Sequence, residues 1–325
     1  MGRYVVTGAA GFIAARVVDF LLEAGHEVVG IDDMNDAYDV RLKQWRLDRL
    51  LANPRFSFHQ KNIADKSNLD LFAAKAEGAS AVFNIAARAG VRSSVSNPWI
   101  YYETNVHGAL NMLEVCRRAG ISKFIQASSS SVYGENSPMP FREDANTDYP
   151  MQPYAASKKA SESLAYTYHY LHDIDVTIFR YFTVYGPAAR PDMAMFRFAQ
   201  WIAEGKVVRV NGDGEQSRGF TYVDDIARGT IAGLKPVGYD IFNLGGHEVI
   251  TMNNLIKLFE AKLGVQAKIE YQPRHMADAL ANLASVEKAG EKLGWEPQVT
   301  LKEGVDRLVE WYLRERSWTS QVVTG

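Results

Sequence analysis

Cysteine is all but missing from this chain: Cys116 is the only one in 325 residues. That excludes an internal disulfide and any thiolate cluster around a metal. Cys116 lies in the helix-like run NMLEVCRRAG, where it reads as a small packed side chain. The histidines add no metal signal; only His169 and His172 share an element, and their spacing suits an exposed helix face. Charge of one sign is missing too. A formal net charge of −2 gives no global basic field for nucleic acid or anionic lipid, although a local cluster can still meet a phosphorylated ligand. No apolar run approaches the roughly 20 residues that span a bilayer. The apolar start at Tyr4–Val6 is stopped by glycine long before it reaches the length of a secretory segment. The expectation is a cytoplasmic protein with no metal, no nucleic-acid partner and no membrane partner.

What is present is an ordinary globular composition, 47% hydrophobic and 23% charged, long enough for a large α/β unit and a smaller second lobe. Short β-branched or aromatic runs alternate with longer amphipathic ones. Strands are expected at Arg3–Thr7, Glu27–Ile31, Arg55–Gln60, Ala81–Ala86, Lys123–Ser128 and Asp175–Tyr181. Helices are expected at Phe12–Ala24, Leu42–Leu51, Ser67–Ala76, Asn97–Ala119 and Gln152–His172. Several strands are apolar on both faces, as in a parallel sheet covered by helices on both sides. Beyond Tyr181 the alternation breaks into loops rich in Gly, Pro and Asp, GPAARPD and NGDGEQSRG. The stretch Tyr222–Leu234 and a strand at Tyr239–Leu244 should return to the large sheet. Asn253–Leu263, Lys268–Tyr271 and Glu303–Arg314 should build a small lobe.

The first strand runs into Gly8-Ala9-Ala10-Gly11-Phe12-Ile13-Ala14. Glycines here let the backbone turn sharply and approach a pyrophosphate, and the next helix offers that anion its N-terminus. Ala14 stands where a third glycine is usual, an increase in size that a helix–strand contact tolerates. Asp32 ends the second strand, 21 positions after Gly11, where an acid meets the adenosine ribose hydroxyls. A carboxylate there repels a 2′-phosphate, so the cofactor expected is NAD rather than NADP. The fold class that follows is α/β, a doubly wound parallel Rossmann sheet with a smaller, discontinuous α/β substrate lobe. Residues 1–182 are expected to form the NAD-binding domain, with returns near 220–245. Residues 183–219 and 246–318 should form the substrate lobe, and 319–325 a polar flexible tail.

Tyr154 and Lys158 lie one turn apart on one face of the run PYAASKKASESLAY. A free tyrosine, with pKa about 10, is a poor base at neutral pH. A neighbouring ammonium and a positive nicotinamide both favour phenolate. The fifth strand ends in Ala127-Ser128-Ser129-Ser130-Ser131-Val132-Tyr133-Gly134, at the sheet edge where α/β proteins bind ligands. A hydroxyl there can hold the reacting oxygen.

The glycine spacing, the serine tract and the Tyr–Lys pair resemble the extended short-chain dehydrogenase/reductase superfamily and its NAD-dependent epimerase/dehydratase family, over nearly the whole chain. The resemblance implies Ser129, Tyr154 and Lys158 as the catalytic group. It assigns Gly8, Gly11, Phe12, Ile13, Asp32, Asn35, Lys43, Asn62, Ile63, Ala86, Ala87, Arg88, Asn105, Tyr181 and the catalytic pair to the cofactor. Relatives that eliminate water or carbon dioxide carry acids in the serine tract; Ser130 and Ser131 carry none, which argues for oxidation and re-reduction at one carbon. The pieces DDMNDAYDVRLKQWRL, AARAGVRSSVSNP, FRYFTVYGPAARPDMAMF and SRGFTYVDDI resemble nucleotide-sugar 4-epimerases that act on UDP-glucuronate. Ala188-Ala189 replaces the Trp-Gly usual there, and ADALANLAS is a loose version of the usual GDxPxTxAD.

The implied activity is C4 epimerisation of UDP-glucuronate to UDP-galacturonate through a transient 4-keto sugar, with NAD tightly bound and regenerated each cycle. A carboxylated sugar needs donors near C6. Arg190 leads, because its fork matches a carboxylate, and Ser130 and Ser131 can add hydrogen bonds. The resemblance brings Arg92, Thr183, Val210, Arg218, Arg274 and Asp278 to the UDP-sugar, Arg218 at the pyrophosphate and Asp278 and the loop Val210–Gly214 near the uridine. It also implies a homodimer through Pro98–Ala119 and Gln152–His172. A 4-epimerase of neutral UDP-sugars, a net NAD(P)-dependent reductase and a non-enzymatic redox sensor are the alternatives.

Overall fold

In this computed structural model, residues 1–135, 137–246, 248–273 and 283–324 are described. The strands in chain order are β1 (Arg3–Thr7), β2 (Glu27–Asp32), β3 (Phe56–Gln60), β4 (Ala81–Asn84), β5 (Lys123–Ser129), β6 (Asp175–Tyr181), β7 (Thr183–Tyr185), β8 (Val207–Asn211), β9 (Ser217–Tyr222), β10 (Tyr239–Leu244), β11 (Val249–Thr251) and β12 (Lys268–Gln272). The helices used below are α1 (Phe12–Glu23), α2 (Val40–Leu51), α3 (Leu69–Ala76), α4 (Val91–Ser96), α5 (Trp99–Tyr102), α6 (Gly108–Ala119), α7 (Pro153–His172), α8 (Ala194–Ala203), α9 (Val223–Ala232), α10 (Met252–Leu263), α11 (Glu287–Leu293) and α12 (Leu301–Arg314).

Seven strands form one sheet in the order β10-β6-β5-β4-β1-β2-β3, and every neighbouring pair is parallel. The order reverses beside β1, the topology of a doubly wound Rossmann sheet. Successive side chains alternate between two cores. Tyr4, Val6, Phe83, Ile125 and Phe179 face the layer that holds Val17 and Leu21 of α1, Leu42 of α2 and Ile226 of α9. Val5, Val29, Val82, Phe124 and Val176 face Phe72 of α3, Met112 and Leu113 of α6 and Ala165 of α7. Both faces are buried, which is why the strands lack a polar stripe.

The remaining strands make a three-stranded β11-β9-β7 sheet and a parallel β12-β8 pair. There α8, α10 and α12 pack through Phe198 against Phe259 and Phe196 against Tyr312. Val210, expected in a loop, is in β8 opposite Tyr271 and is buried, because Val207–Asn211 alternates exposed and buried side chains along a strand. The polar tail expected to be flexible is also held. Thr319, Val322 and Thr324 are buried; Gln200 of α8 donates to Thr319 O and Val322 O at 3.0 and 2.7 Å, and Trp201 Nε1 donates to Thr324 Oγ1 at 2.9 Å. Short side chains and satisfied carbonyls let this polar segment dock.

The single helix expected over Asn97–Ala119 is interrupted. Between α5 and α6, Glu103–His107 forms a wide π-type turn. Gly108 then lies so close to Ile63 that a Cβ on it would sit 2.7 Å from Ile63 Cδ1.

Candidate active site

At the carboxyl end of β1 the chain turns on Gly8, whose φ of +70° glycine adopts freely. A Cβ on it would lie 2.8 Å from Ala86 Cα, in the loop after β4. Gly11 N donates to Gly8 O at 2.6 Å, and α1 begins without a side-chain cap or an acid in its first turn. Its leading N–H groups, beginning at Phe12 and Ile13, are left for an anion. Asp32, buried at the end of β2, accepts from Ala10 N at 3.2 Å and Met34 N at 2.8 Å. Lys43 Nζ is 3.7 Å from the same carboxylate; burial lowers its pKa and Asp32 opposes the shift. A turn with no room for a Cβ, a bare helix N-terminus and a buried acid on the next strand fit a dinucleotide.

Ala86, Ala87 and Arg88 follow β4. Arg88 Nη1 donates to Asn35 Oδ1 at 3.2 Å, which ties this loop to the one after β2. Asn105, buried in the wide turn, holds the loop from the other side: its Oδ1 accepts from Arg88 N at 2.8 Å and its Nδ2 donates to Arg88 O at 3.0 Å. The same Nδ2 donates to Ser157 Oγ at 2.9 Å, and Ser157 Oγ donates to Tyr154 O at 2.8 Å. One buried amide thus joins the cofactor loop to α7.

Helix α7 starts at Pro153, with Gln152 extended before it, and this start sets Tyr154 in the first turn. Ser129 closes β5, and its Oγ accepts from Ser131 N at 3.2 Å. The Ser129 hydroxyl faces the Tyr154 phenol closely enough to act on its proton. Poor solvation raises the phenol's pKa, while that hydroxyl and the charge of Arg190 lower it. Lys158 is 2% exposed and its Nζ donates to Ala127 O at 2.9 Å. Burial brings its ammonium down to about 8, with Glu162 opposing. Ser129, Tyr154 and Lys158 are therefore gathered, and the arrangement can pass a proton to and from an oxygen held at Ser129. Tyr101 packs edge-on to Tyr154, with ring centres 6.1 Å apart.

Arg190 approaches the same phenol from the loop after β7. Its Nε and Nη2 donate to the two Asp192 oxygens at 3.1 and 2.6 Å, and Nη2 also reaches Ala89 O at 3.4 Å. Its fork is thus already engaged by an exposed acid. Arg197 of α8 lies in the same field: burial lowers its pKa, Asp192 opposes the shift and Arg92 of α4 adds to it. Ser130 and Ser131 lie in the 3-10 turn after Ser129, Thr183 opens β7, and Arg218 in β9 donates to Ser217 O at 2.9 Å.

Several assigned side chains are also held by the protein itself. The Tyr181 hydroxyl is bonded to Thr230 Oγ1 at 2.8 Å in the core, so only its backbone at the end of β6 remains for a cofactor. The Ile63 side chain is buried with Phe72 and Met112, and its carbonyl accepts from Asn111 Nδ2 at 2.8 Å. Asn62, exposed after β3, accepts from Ala64 N at 2.8 Å. Arg274 and Asp278 lie outside the described residues. Arg46 went unnoticed in the sequence. It is 3% exposed and donates to Ala10 O at 2.8 Å, Ala188 O at 2.5 Å and Tyr38 Oη at 2.5 Å. It thereby braces the glycine turn against the loop that carries Arg190. Its helical spacing from Leu42 was the available signal. Among the described residues no group of His, Cys, Asp or Glu is placed to hold a metal ion, and no helix is long and apolar enough to cross a membrane.

Comparison with known proteins agrees with this geometry. The model of the NAD-dependent epimerase/dehydratase family matches residues 4–245. The UDP-glucuronate 4-epimerase of Thermodesulfobacterium geofontis is 50% identical, over 96% of this chain and 96% of that one. The crystal structure of UDP-glucuronic acid 4-epimerase from Bacillus cereus in complex with UDP-glucuronic acid and NAD superposes with a TM-score of 0.90 at 33% identity, over 96% of this chain and 99% of that one. The UDP-glucose 4-epimerase of Thermotoga maritima, solved with UDP-glucose, gives 0.89 at 31% identity, over 97% and 99%.

Proposed function

The chain belongs to the NAD-dependent epimerase/dehydratase family, and on that premise we propose that it interconverts UDP-glucuronate and UDP-galacturonate by epimerisation at C4. The observation that carries this reading is Arg190 in the field of the Tyr154 phenol, its Nη2 sharing Ala89 O with Tyr101, which packs on Tyr154: a cation for a sugar carboxylate near the proton-transfer group. The relative from Thermodesulfobacterium geofontis and the Bacillus cereus structure support the same substrate.

Gly8, Gly11, Asp32 and the loop at Arg88 would hold NAD, which when bound would supply the hydride acceptor and donor at C4 and so be conserved over each cycle. Tyr154 takes the proton of the 4-hydroxyl and returns it to the same oxygen after the 4-keto sugar has turned to offer the other face of C4 to the hydride donor. Ser129 hydrogen-bonds the same oxygen. Lys158, as an ammonium, favours the phenolate. Arg190, with Ser130 and Ser131, holds the carboxylate. A 4-keto uronate is a β-keto acid, and it loses carbon dioxide only when the bond to the carboxylate aligns with the carbonyl π system. Holding the carboxylate out of that alignment keeps the carbon skeleton whole. No acid in the serine tract is placed to eliminate water.

The reading is tested by incubating the purified protein with UDP-glucuronate without added NAD, followed by chromatography. UDP-galacturonate without UDP-pentose is expected; a UDP-pentose, or turnover only with stoichiometric NAD, overturns it. The engagement of Arg190 by Asp192 favours a second reading, epimerisation of neutral UDP-sugars, and UDP-glucose in the same assay decides between them. We place the enzyme in the cytoplasm as a homodimer paired through Pro98–Ala119 and Gln152–His172, whose Trp99, Tyr170 and Leu171 are exposed. Light scattering on the eluting protein tests the dimer.

A further inference from the structure

Helix α7 carries a buried carboxylate that the chemistry above leaves unused. Glu162 stands one turn beyond Lys158 and two beyond Tyr154, and it is 2% exposed. Oε1 accepts from Ser128 Oγ at 2.6 Å and from Arg180 Nε at 3.0 Å, and Oε2 accepts from Arg180 Nη2 at 2.9 Å. Arg180, also 2% exposed, sits in β6 directly opposite Ser128 in the sheet register. Its Nη1 donates to Glu143 O at 3.2 Å, and its guanidinium lies 4.9 Å from the centre of the Tyr133 ring.

Three consecutive residues of β5 thus meet three successive turns of α7. Ser129 faces Tyr154, Ala127 O accepts from Lys158, and Ser128 donates to Glu162. The register that assembles the catalytic group also fixes a negative charge behind its lysine. Stability alone gives little reason for this. Two ions withdrawn from water cost several kcal/mol each before they attract one another, and packed apolar residues often serve as well. Placed here, the carboxylate acts on the ammonium of Lys158, which burial disfavours and Glu162 favours. The other ionisable groups around the pair are Tyr154 on the same helix, Arg180 of β6, Tyr133 after β5 and Tyr239 of β10. Glu143 lies beyond Arg180, with its carboxylate bonded to Asn243 N at 2.8 Å. Arg190 is on the far side of Tyr154. The two-pronged hold of Arg180 keeps Glu162 from swinging onto Lys158 and drawing its Nζ off Ala127.

We propose that Glu162, braced by Arg180 and Ser128, is a positioning residue whose charge keeps Lys158 protonated in the working pH range and so keeps the proton of Tyr154 labile. This rests on the roles given above to Tyr154 and Lys158.

The test measures Lys158 directly as well as through turnover. Competitive labelling with trace acetic anhydride, read peptide by peptide on the protein as purified, gives the pH at which Lys158 loses its proton. In Glu162→Gln that midpoint is expected to fall by about one pH unit, and the alkaline limb of the epimerisation profile to fall with it. Glu162→Asp restores both. Should Glu162→Gln not fold with Arg180 left unpaired, the double variant Glu162→Gln, Arg180→Met removes both charges and is still expected to lower the midpoint. An unmoved Lys158 midpoint in the folded variant, or a loss of kcat by one factor at every pH, overturns the proposal. A shifted midpoint in a protein that epimerises no UDP-sugar overturns the functional reading instead and leaves this one standing.

Discussion

The cofactor side and the proposed sugar side of the site are built from different materials. The cofactor side is mostly backbone: a glycine turn, the bare N-terminus of α1 and carbonyls braced by Arg46, with one buried acid, Asp32. The sugar side is mostly long charged side chains on loops and short helices, namely Arg190, Asp192, Arg92 and Arg197. Backbone sites have little freedom to be wrong, because a Cβ at Gly8 has nowhere to go. Side-chain sites can be re-aimed by one neighbour, as Asp192 does to Arg190. On the function proposed above, the first kind of site fixes what chemistry is done and the second decides which sugar receives it.

Five substitutions and a pH profile can break or sharpen this contrast. The largest effect belongs to Tyr154→Phe, which shares both sides: about a 10³-fold loss of kcat with NAD retained, read from single-turnover rates and the bound-nucleotide spectrum. Full activity in this variant ends the mechanism. Gly8→Val should strike the cofactor side alone. Positive φ and the clash with Ala86 cost about 2 kcal/mol or more, roughly 30-fold in NAD affinity by equilibrium dialysis. Arg190→Ala should raise KM for UDP-glucuronate about tenfold and leave KM for UDP-glucose unchanged, while the loss of its charge near the phenol lowers kcat for both sugars together. Asp192→Asn should act in the opposite direction by a few-fold, because it frees the Arg190 fork; a rise in KM instead means that Asp192 orients the arginine.

Arg46→Met should blur the contrast, since one buried guanidinium holds both Ala10 O and Ala188 O. NAD affinity and KM for UDP-glucuronate should worsen together, each by about fivefold as hydrogen bonds to a charged donor are lost. The smallest effect is one of pH. Lys158 is an ammonium below about 8 and neutral above it. The phenolate loses its support as pH rises through that value, so kcat should fall to about half there. A flat profile to pH ~10 would mean that Lys158 keeps the ordinary lysine pKa.

The cofactor side was legible in the sequence for the same reason that it is robust. Glycine spacing, strand length and one acid at a fixed distance are local patterns, and Gly8, Gly11, Asp32, Tyr154 and Lys158 all stand near the carboxyl edge they imply. The sugar side depends on which loops meet. Nothing local in GPAARPD says that Asp192 will turn back on Arg190, or that Arg197 of α8 will enter the same field. Ala188 adopts a φ of +55°, which its side chain gives no reason to expect. Val210 reads as loop because its strand partner, Tyr271, is distant in sequence. The polar tail reads as free because Gln200 and Trp201, which hold it, are distant too. Glu162 was in plain view within PYAASKKASESLAY, but its meaning required Arg180 from another strand.

The wide turn at Glu103–His107 also works as a phase shifter. One extra residue in a turn rotates everything downstream by about 100° around the helix axis, so α5 and α6 present faces that a single uninterrupted wheel would not align. Asn105 occupies the residue range where that rotation is taken up, and from there it reaches both Arg88 and Ser157. Deleting one residue from this turn would let the two helices fuse into one regular helix. The local backbone would become more uniform while the wire between the cofactor loop and α7 was cut, so that helix regularity and active-site connection move in opposite directions at the same five residues.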